Sequence, residues 1–130
     1  MKFLCLICAE KVMEQMSEAD AAEHYREYAE FTEAIRRSGH FIACNRLLPA
    51  ATATTVRVRK GAVSTTDGPY AETKEQFGGY YLIQARDLNE AILVASRIPG
   101  AARGCVEVRA VAEDEQTVQA LGLDVNRVSI

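Results

Sequence analysis

No apolar run in the chain approaches the roughly 18 residues that a membrane-spanning helix needs. The chain also lacks an excess of positive charge, with a formal net charge of −3. Broad binding to nucleic acid or to an acidic membrane needs a basic face, so neither is expected. The nearest approach to a basic cluster is "RVRK", residues 57–60, which alternates like a strand. Arg57 and Arg59 then share one face, and Val56 and Val58 take the other. Glycine-rich phosphate loops, the dinucleotide fingerprint, G-x-S-x-G and His/carboxylate metal clusters are all missing. No metal and no cofactor is therefore expected. The opening "MKFLCLICA" runs straight into Glu10 and Lys11 without an A-x-A-like site. It reads as a first strand, not as a signal peptide, and a cytoplasmic location follows as the expectation.

What is present fits one domain with a real core: 130 residues, 48% hydrophobic and 25% charged. The four cysteines are Cys5, Cys8, Cys44 and Cys105. Without an export signal, thiols in a reducing compartment are the default. Cys5 and Cys8 have C-x-x-C spacing, but an offset of three along a strand puts them on opposite faces. Buried small hydrophobes are the better account of them.

Periodicity lays out the elements. Residues 3–9 are continuously apolar, as in a strand buried on both faces. "SEAD" resembles a capping box, with Ser17 as cap, opening a helix from Glu18 to Ser38. Its buried stripe is read as Ala21, Tyr25, Tyr28, Thr32 and Ile35, and His24 as a surface residue. Gly39 suits a left-handed helix cap. Residues 40–48 form a second strand stopped by Pro49. Residues 54–59 and 62–66 form a hairpin around Lys60-Gly61. "DGPY", residues 67–70, is a further turn. Residues 77–85 make a central strand whose Gly78-Gly79 pair implies a bulge or a close approach. A second helix spans Leu88 to Ile98, with Leu88, Ala91, Ile92, Ala95 and Ile98 inward and Pro99 ending it. Residues 105–111 form the last strand.

The order β-α-β, hairpin, β-α-β predicts an α+β sandwich of ferredoxin-like type with a β-hairpin insertion. The domain is expected over residues 1–111, with 112–130 a C-terminal extension of short helix or tail. Two helices cover only one face of such a sheet. A homodimer through the open sheet face is the expected cover.

The stretches "SGHFIACNRLLPAATATTVRVRKG", "TDGPYAETKEQFGGYYLI" and "IPGAARGCVEVRAV" resemble the YCII-related proteins, in the branch named for a DGPF motif. Tyr70 stands where that motif has Phe. The resemblance implies a dimeric α+β barrel, bacterial and cytoplasmic. It also implies a possible association with sigma factors of the extracytoplasmic-function type. Other YCII-type proteins carry a His and an Asp as an acid–base dyad. With Gly39 as the reference glycine, those positions fall on Tyr28 and near Arg37, so the dyad does not carry over.

Candidate catalytic residues are Asp67, Glu72 and Tyr28. Asp67 is equally a turn residue, Glu72 part of a solvated charge run and Tyr28 a core aromatic. Candidate ligand-binding residues are Arg57, Lys74, Gly78, Gly79 and Arg109. An arginine at a sheet cleft can hold an anion bidentately, or it can pair with Glu107 or with a carboxylate of the 72–75 run. His40 reads as an ordinary helix-end histidine. Two functions stay open. One is a pocket between sheet and helices for a small polar metabolite, with or without cofactor-free acid–base catalysis. The other is a non-enzymatic interaction protein linked to sigma-factor regulation, its DGP turn structural.

Overall fold

The computed structural model of the chain describes residues 1–9, 15–69 and 77–122. Its elements are β1 (Lys2–Cys8), α1 (Glu18–Arg37), β2 (Phe41–Arg46), β3 (Thr54–Arg59), β4 (Ala62–Asp67), β5 (Gly79–Gln84), α2 (Leu88–Ala95), β6 (Cys105–Ala110) and α3 (Glu115–Leu121). Single 3-10 turns occupy Ala50–Thr52 and Pro99–Ala102. One antiparallel sheet has the order β2-β5-β1-β6, and β3 and β4 form a second sheet of two strands. This is the ferredoxin-like α+β arrangement, with the hairpin inserted between β2 and β5.

The sheet alternates as a pleat requires. Phe3, Cys5 and Ile7 of β1 and Tyr81 and Ile83 of β5 are buried against the helices. Leu4, Leu6, Tyr80 and Leu82 point the other way and are half-buried. The continuous apolar runs thus supply two faces, of which the helices cover one.

Ser17 caps α1, its Oγ accepting from Asp20 N at 3.1 Å. The buried residues of α1 are His24, Phe31 and Ile35. Tyr28 packs against the same core. The stripe is therefore rotated from the one expected: Tyr25 is 43% exposed and His24 1%. Residues 24, 28, 31 and 35 are a valid 3.6-residue stripe too, and packing on β1 and β5 selects it.

In α2 the buried residues are Ala91, Val94 and Ala95, followed by Ile98. Leu88 and Ile92 are exposed, contrary to expectation, because they flank the face that meets the sheet. The helix also ends at Ala95, before Pro99 is reached, and the chain turns through Ile98 into the 3-10 turn.

Gly39 adopts φ +83°, as the left-handed cap requires. Lys60 and Gly61 both have positive φ, which a two-residue hairpin turn of primed type demands. The bulge falls on β2, between Phe41 and Ala43, and not on the glycine pair. Gly79 is instead a close approach: a Cβ there would lie 2.8 Å from the Asn45 carbonyl oxygen of β2.

Candidate functional site

The N-terminal half of α1 does not close completely onto the sheet. A cavity of about 290 Å³ lies between them. Ala21, His24, Tyr25 and Tyr28 of α1 form one wall. Ile7 and Ala9 from the end of β1 form the floor, with Cys44, Asn45 and Arg46 of β2 and Gly78 to Tyr81 at the start of β5 opposite. Leu47 and Pro49 stand at the rim.

His24 is the unusual member. It is 1% exposed, and among the described residues neither ring nitrogen has a hydrogen-bond partner. Its Nδ1 lies 3.7 Å from Glu27 Oε2, beyond hydrogen-bond length. Burial pushes its pKa below the ordinary imidazole value; the Arg103 cation adds to this and Glu27 opposes it. The ring is therefore neutral near pH 7, with one nitrogen a donor and the other an acceptor. Buried polar side chains are nearly always paired.

Tyr28 meets His24 edge-to-face, with ring centroids 4.9 Å apart. Its hydroxyl oxygen accepts from Gly100 N at 3.0 Å, leaving the O–H free to donate. Burial pushes its pKa up to about 12, so the phenol keeps its proton. Tyr28 and Tyr81 are nearly parallel, with an interplanar angle of 6°. Thr32 Oγ1 donates to Tyr28 O at 2.8 Å. It has one proton, so in its 2.7 Å contact with Tyr81 the tyrosine is the donor. Burial also raises the Tyr81 and Cys44 pKa values, so both stay neutral.

The 3-10 turn at Pro99–Ala102 braces this wall at two points. One is the Gly100–Tyr28 bond. The other is Arg103, whose guanidinium bonds the Glu27 carboxylate at 3.1 and 3.5 Å. The fit is tight, since a Cβ on Gly100 would lie 2.6 Å from Tyr28 Oη and 2.8 Å from Ile7 Cγ2. At the mouth, the Arg46 guanidinium lies 5.6 Å from the Tyr25 ring centre. On the helix-free face behind it, Asn45 Nδ2 donates to Tyr80 Oη at 2.9 Å.

Of the residues singled out from sequence, Tyr28, Gly78 and Gly79 line this cavity. Asp67 and Arg57 sit on the β3–β4 hairpin and are not among the described residues lining it. Asp67 is exposed and faces Thr54 in register. Arg109 projects from β6 on the helix-free face and pairs with Glu107 at 3.1 Å. Glu72 and Lys74 lie outside the described residues. His40 joins two elements, through Ser38 Oγ at 2.6 Å and Glu90 Oε1 at 3.0 Å. His24, expected at the surface, is buried. The signal that finds it is its spacing from Tyr28, Phe31 and Ile35.

Three comparisons place the chain among known proteins. A 69-residue segment is 44% identical to an uncharacterised protein of Rhizobium meliloti (strain 1021), covering 52% of this chain and 56% of that relative. The chain therefore spans little more than half of that relative's length. Among solved structures, 5-chloro-2-hydroxyhydroquinone dehydrochlorinase (TftG) from Burkholderia phenoliruptrix AC1100, complexed with 2,5-dihydroxybenzoquinone, superposes with a TM-score of 0.52. The alignment covers 89% of this chain and 98% of that one at 12% identity, a likeness of fold. The model of the YCII-related domain matches residues 1–115, and the chain belongs to that family.

Proposed function

We propose that the cavity between α1 and the sheet binds a small ring-shaped molecule, and that His24 and Tyr28 act on it by cofactor-free acid–base chemistry. The observation that carries this reading is His24, buried, neutral and without a hydrogen-bond partner among the described residues, in the wall of an open cavity. An imidazole in that state can take a proton from a bound hydroxyl or return one to a ring carbon. The Tyr28 phenol, fixed by Gly100, can donate to a ligand carbonyl. Among the described residues, the rings of Tyr25, Tyr28 and Tyr81 lie on the helix side of the sheet around the cavity, and they suit a flat ligand with few polar groups better than a highly charged one. The ring-sized ligand held by TftG, whose fold is similar, agrees with a cavity of this size.

The Asp-Gly-Pro turn takes a structural role in this reading. Gly68 N donates to Ala53 O at 2.7 Å, and Thr55 Oγ1 donates to Gly68 O at 2.8 Å. Both bonds hold the hairpin base to the chain that enters it. A second copy of the chain is proposed to cover Leu4, Leu6 and Leu82 on the helix-free face. Sedimentation at micromolar concentration tests this, and a stable monomer counts against it.

The binding claim is tested by a thermal-shift screen of one-ring diphenols, hydroxyquinones and lactones. At least one of these classes is expected to raise the melting temperature of the wild type and to leave His24→Phe unmoved. Equal shifts in both proteins, or none in the wild type, contradict the reading.

A further inference from the structure

The cavity wall is uneven in charge. Among the described residues it holds no carboxylate, and Arg46 is its one cation. Glu27 lies near His24 at the buried end, but Arg103 holds its carboxylate at 3.1 Å. The buried end is thus close to neutral and the mouth is positive.

Strand alternation puts Arg46 there. Cys44 opposes Tyr81 across the β2–β5 pair, and Arg46 opposes Gly79. Tyr81 belongs to the core under the helices. Residues 44 and 46 therefore share the helix side of the sheet, and Asn45 points the other way. On that side the Arg46 guanidinium sits 5.6 Å from the ring centre of Tyr25, within cation–π reach. A ring face attracts the charge without using up the planar fork of N–H donors. Arg26, Arg37, Arg86, Arg103 and Arg109 each pair with a carboxylate. Among the described residues, Arg46 has the Tyr25 ring and no such pair. The register also keeps space open beside it. A Cβ on Gly79 would lie 2.8 Å from the Asn45 carbonyl oxygen, so this position must stay glycine. The place facing Arg46 across the strand pair thus presents no side chain.

We propose that Arg46 makes the cavity selective for a ring compound that carries one carboxylate, a substrate class that rests on the reading of the cavity as a one-ring site. The guanidinium fork matches the two oxygens of a carboxylate, which a single ring hydroxyl does not supply. The anion stays at the mouth beside Tyr25, which is 43% exposed, so it keeps part of its hydration and gains a partner. The apolar ring takes the buried part of the cavity, toward His24 and Tyr28, whose own rings meet at 4.9 Å. Charge is read at one end and proton chemistry is done at the other.

The test is calorimetric titration of the full chain with 4-hydroxybenzoate and with 4-hydroxybenzamide, which has a similar shape and no charge. The wild type is expected to bind the benzoate about tenfold or more tightly than the amide, as a charge-assisted pair gives. Added salt should weaken the benzoate and leave the amide unmoved, a reading that needs no variant. Arg46→Gln is expected to bind both compounds as the wild type binds the amide, and Arg46→Lys to keep part of the preference. Equal binding of the two compounds by the wild type, binding of neither, or an undiminished preference in Arg46→Gln each overturns the proposal. Amide binding that is lost in His24→Phe, with no gain for the benzoate in the wild type, sinks the role of Arg46 alone. A benzoate preference that survives unchanged in His24→Phe sinks the role of His24 and leaves that of Arg46 standing.

Discussion

The two sheets of this protein are written in the same alphabet and have opposite fates. β1 alternates Phe3, Cys5 and Ile7, and all three are buried under the helices. β3 and β4 present Val56, Val58 and Val63 on their apolar side, and these are 61%, 56% and 69% exposed. Among the described residues the hairpin pairs only with itself, whereas the four-stranded sheet carries α1 and α2. Alternation in a sequence therefore selects a strand and a face. It does not say what will lie against that face. A lone two-stranded ribbon is marginal in water. This one is held at its base by the Gly68 bonds, and its valine side is a surface available for contact with another chain.

The comparison can be broken most forcefully in the core. Ile83→Ala, at a site with no exposure, is expected to cost about 2–5 kcal/mol in denaturant unfolding, as large-to-small core changes do. A cost near that of a surface change would remove the distinction. Gly100→Ala comes next, at about 1–3 kcal/mol, because the added methyl collides with Tyr28 and Ile7. It should also shift the near-ultraviolet signal of the tyrosines; an unchanged spectrum and stability would mean that the turn does not brace the cavity.

His24 gives a smaller effect with a definite sign. Its folded pKa is depressed below the ordinary 6.5, so the unfolded chain takes up the proton first as pH falls. Stability should be full above about pH 6.5 and fall as pH drops below it. His24→Phe should flatten that slope, which urea midpoints across the window will read. Smallest of all, Val58→Ala on the hairpin should change stability of the isolated chain by about 0.5 kcal/mol or less. A larger loss that grows with protein concentration would show that the valine side is covered by a second copy.

Much of the fold was legible because it is local. Lys60-Gly61 needs positive φ, Ser17 needs a first-turn amide, and Gly39 needs a left-handed cap; each speaks through its own few residues. The stripe of α1 was not legible in the same way. Residues 21, 25, 28, 32, 35 and residues 24, 28, 31, 35 both fit a 3.6-residue period and share Tyr28 and Ile35. Only the packing of Phe31 on Tyr81, with centroids 5.1 Å apart, chooses between them. His24 moved from surface to cavity wall with that rotation. The Gly100 and Arg103 braces have no local signal for the same reason: 72 and 76 residues separate them from Tyr28 and Glu27.

The contrast between cavity and hairpin meets its most direct test in calorimetric titration of the wild type, His24→Phe and Asp67→Asn with the ring compound that gives the strongest thermal shift. The wild type and Asp67→Asn are expected to bind alike, and His24→Phe at least tenfold more weakly, a difference of about 1.4 kcal/mol or more. Full affinity in His24→Phe together with a loss in Asp67→Asn would move the site from the cavity to the hairpin and contradict the account.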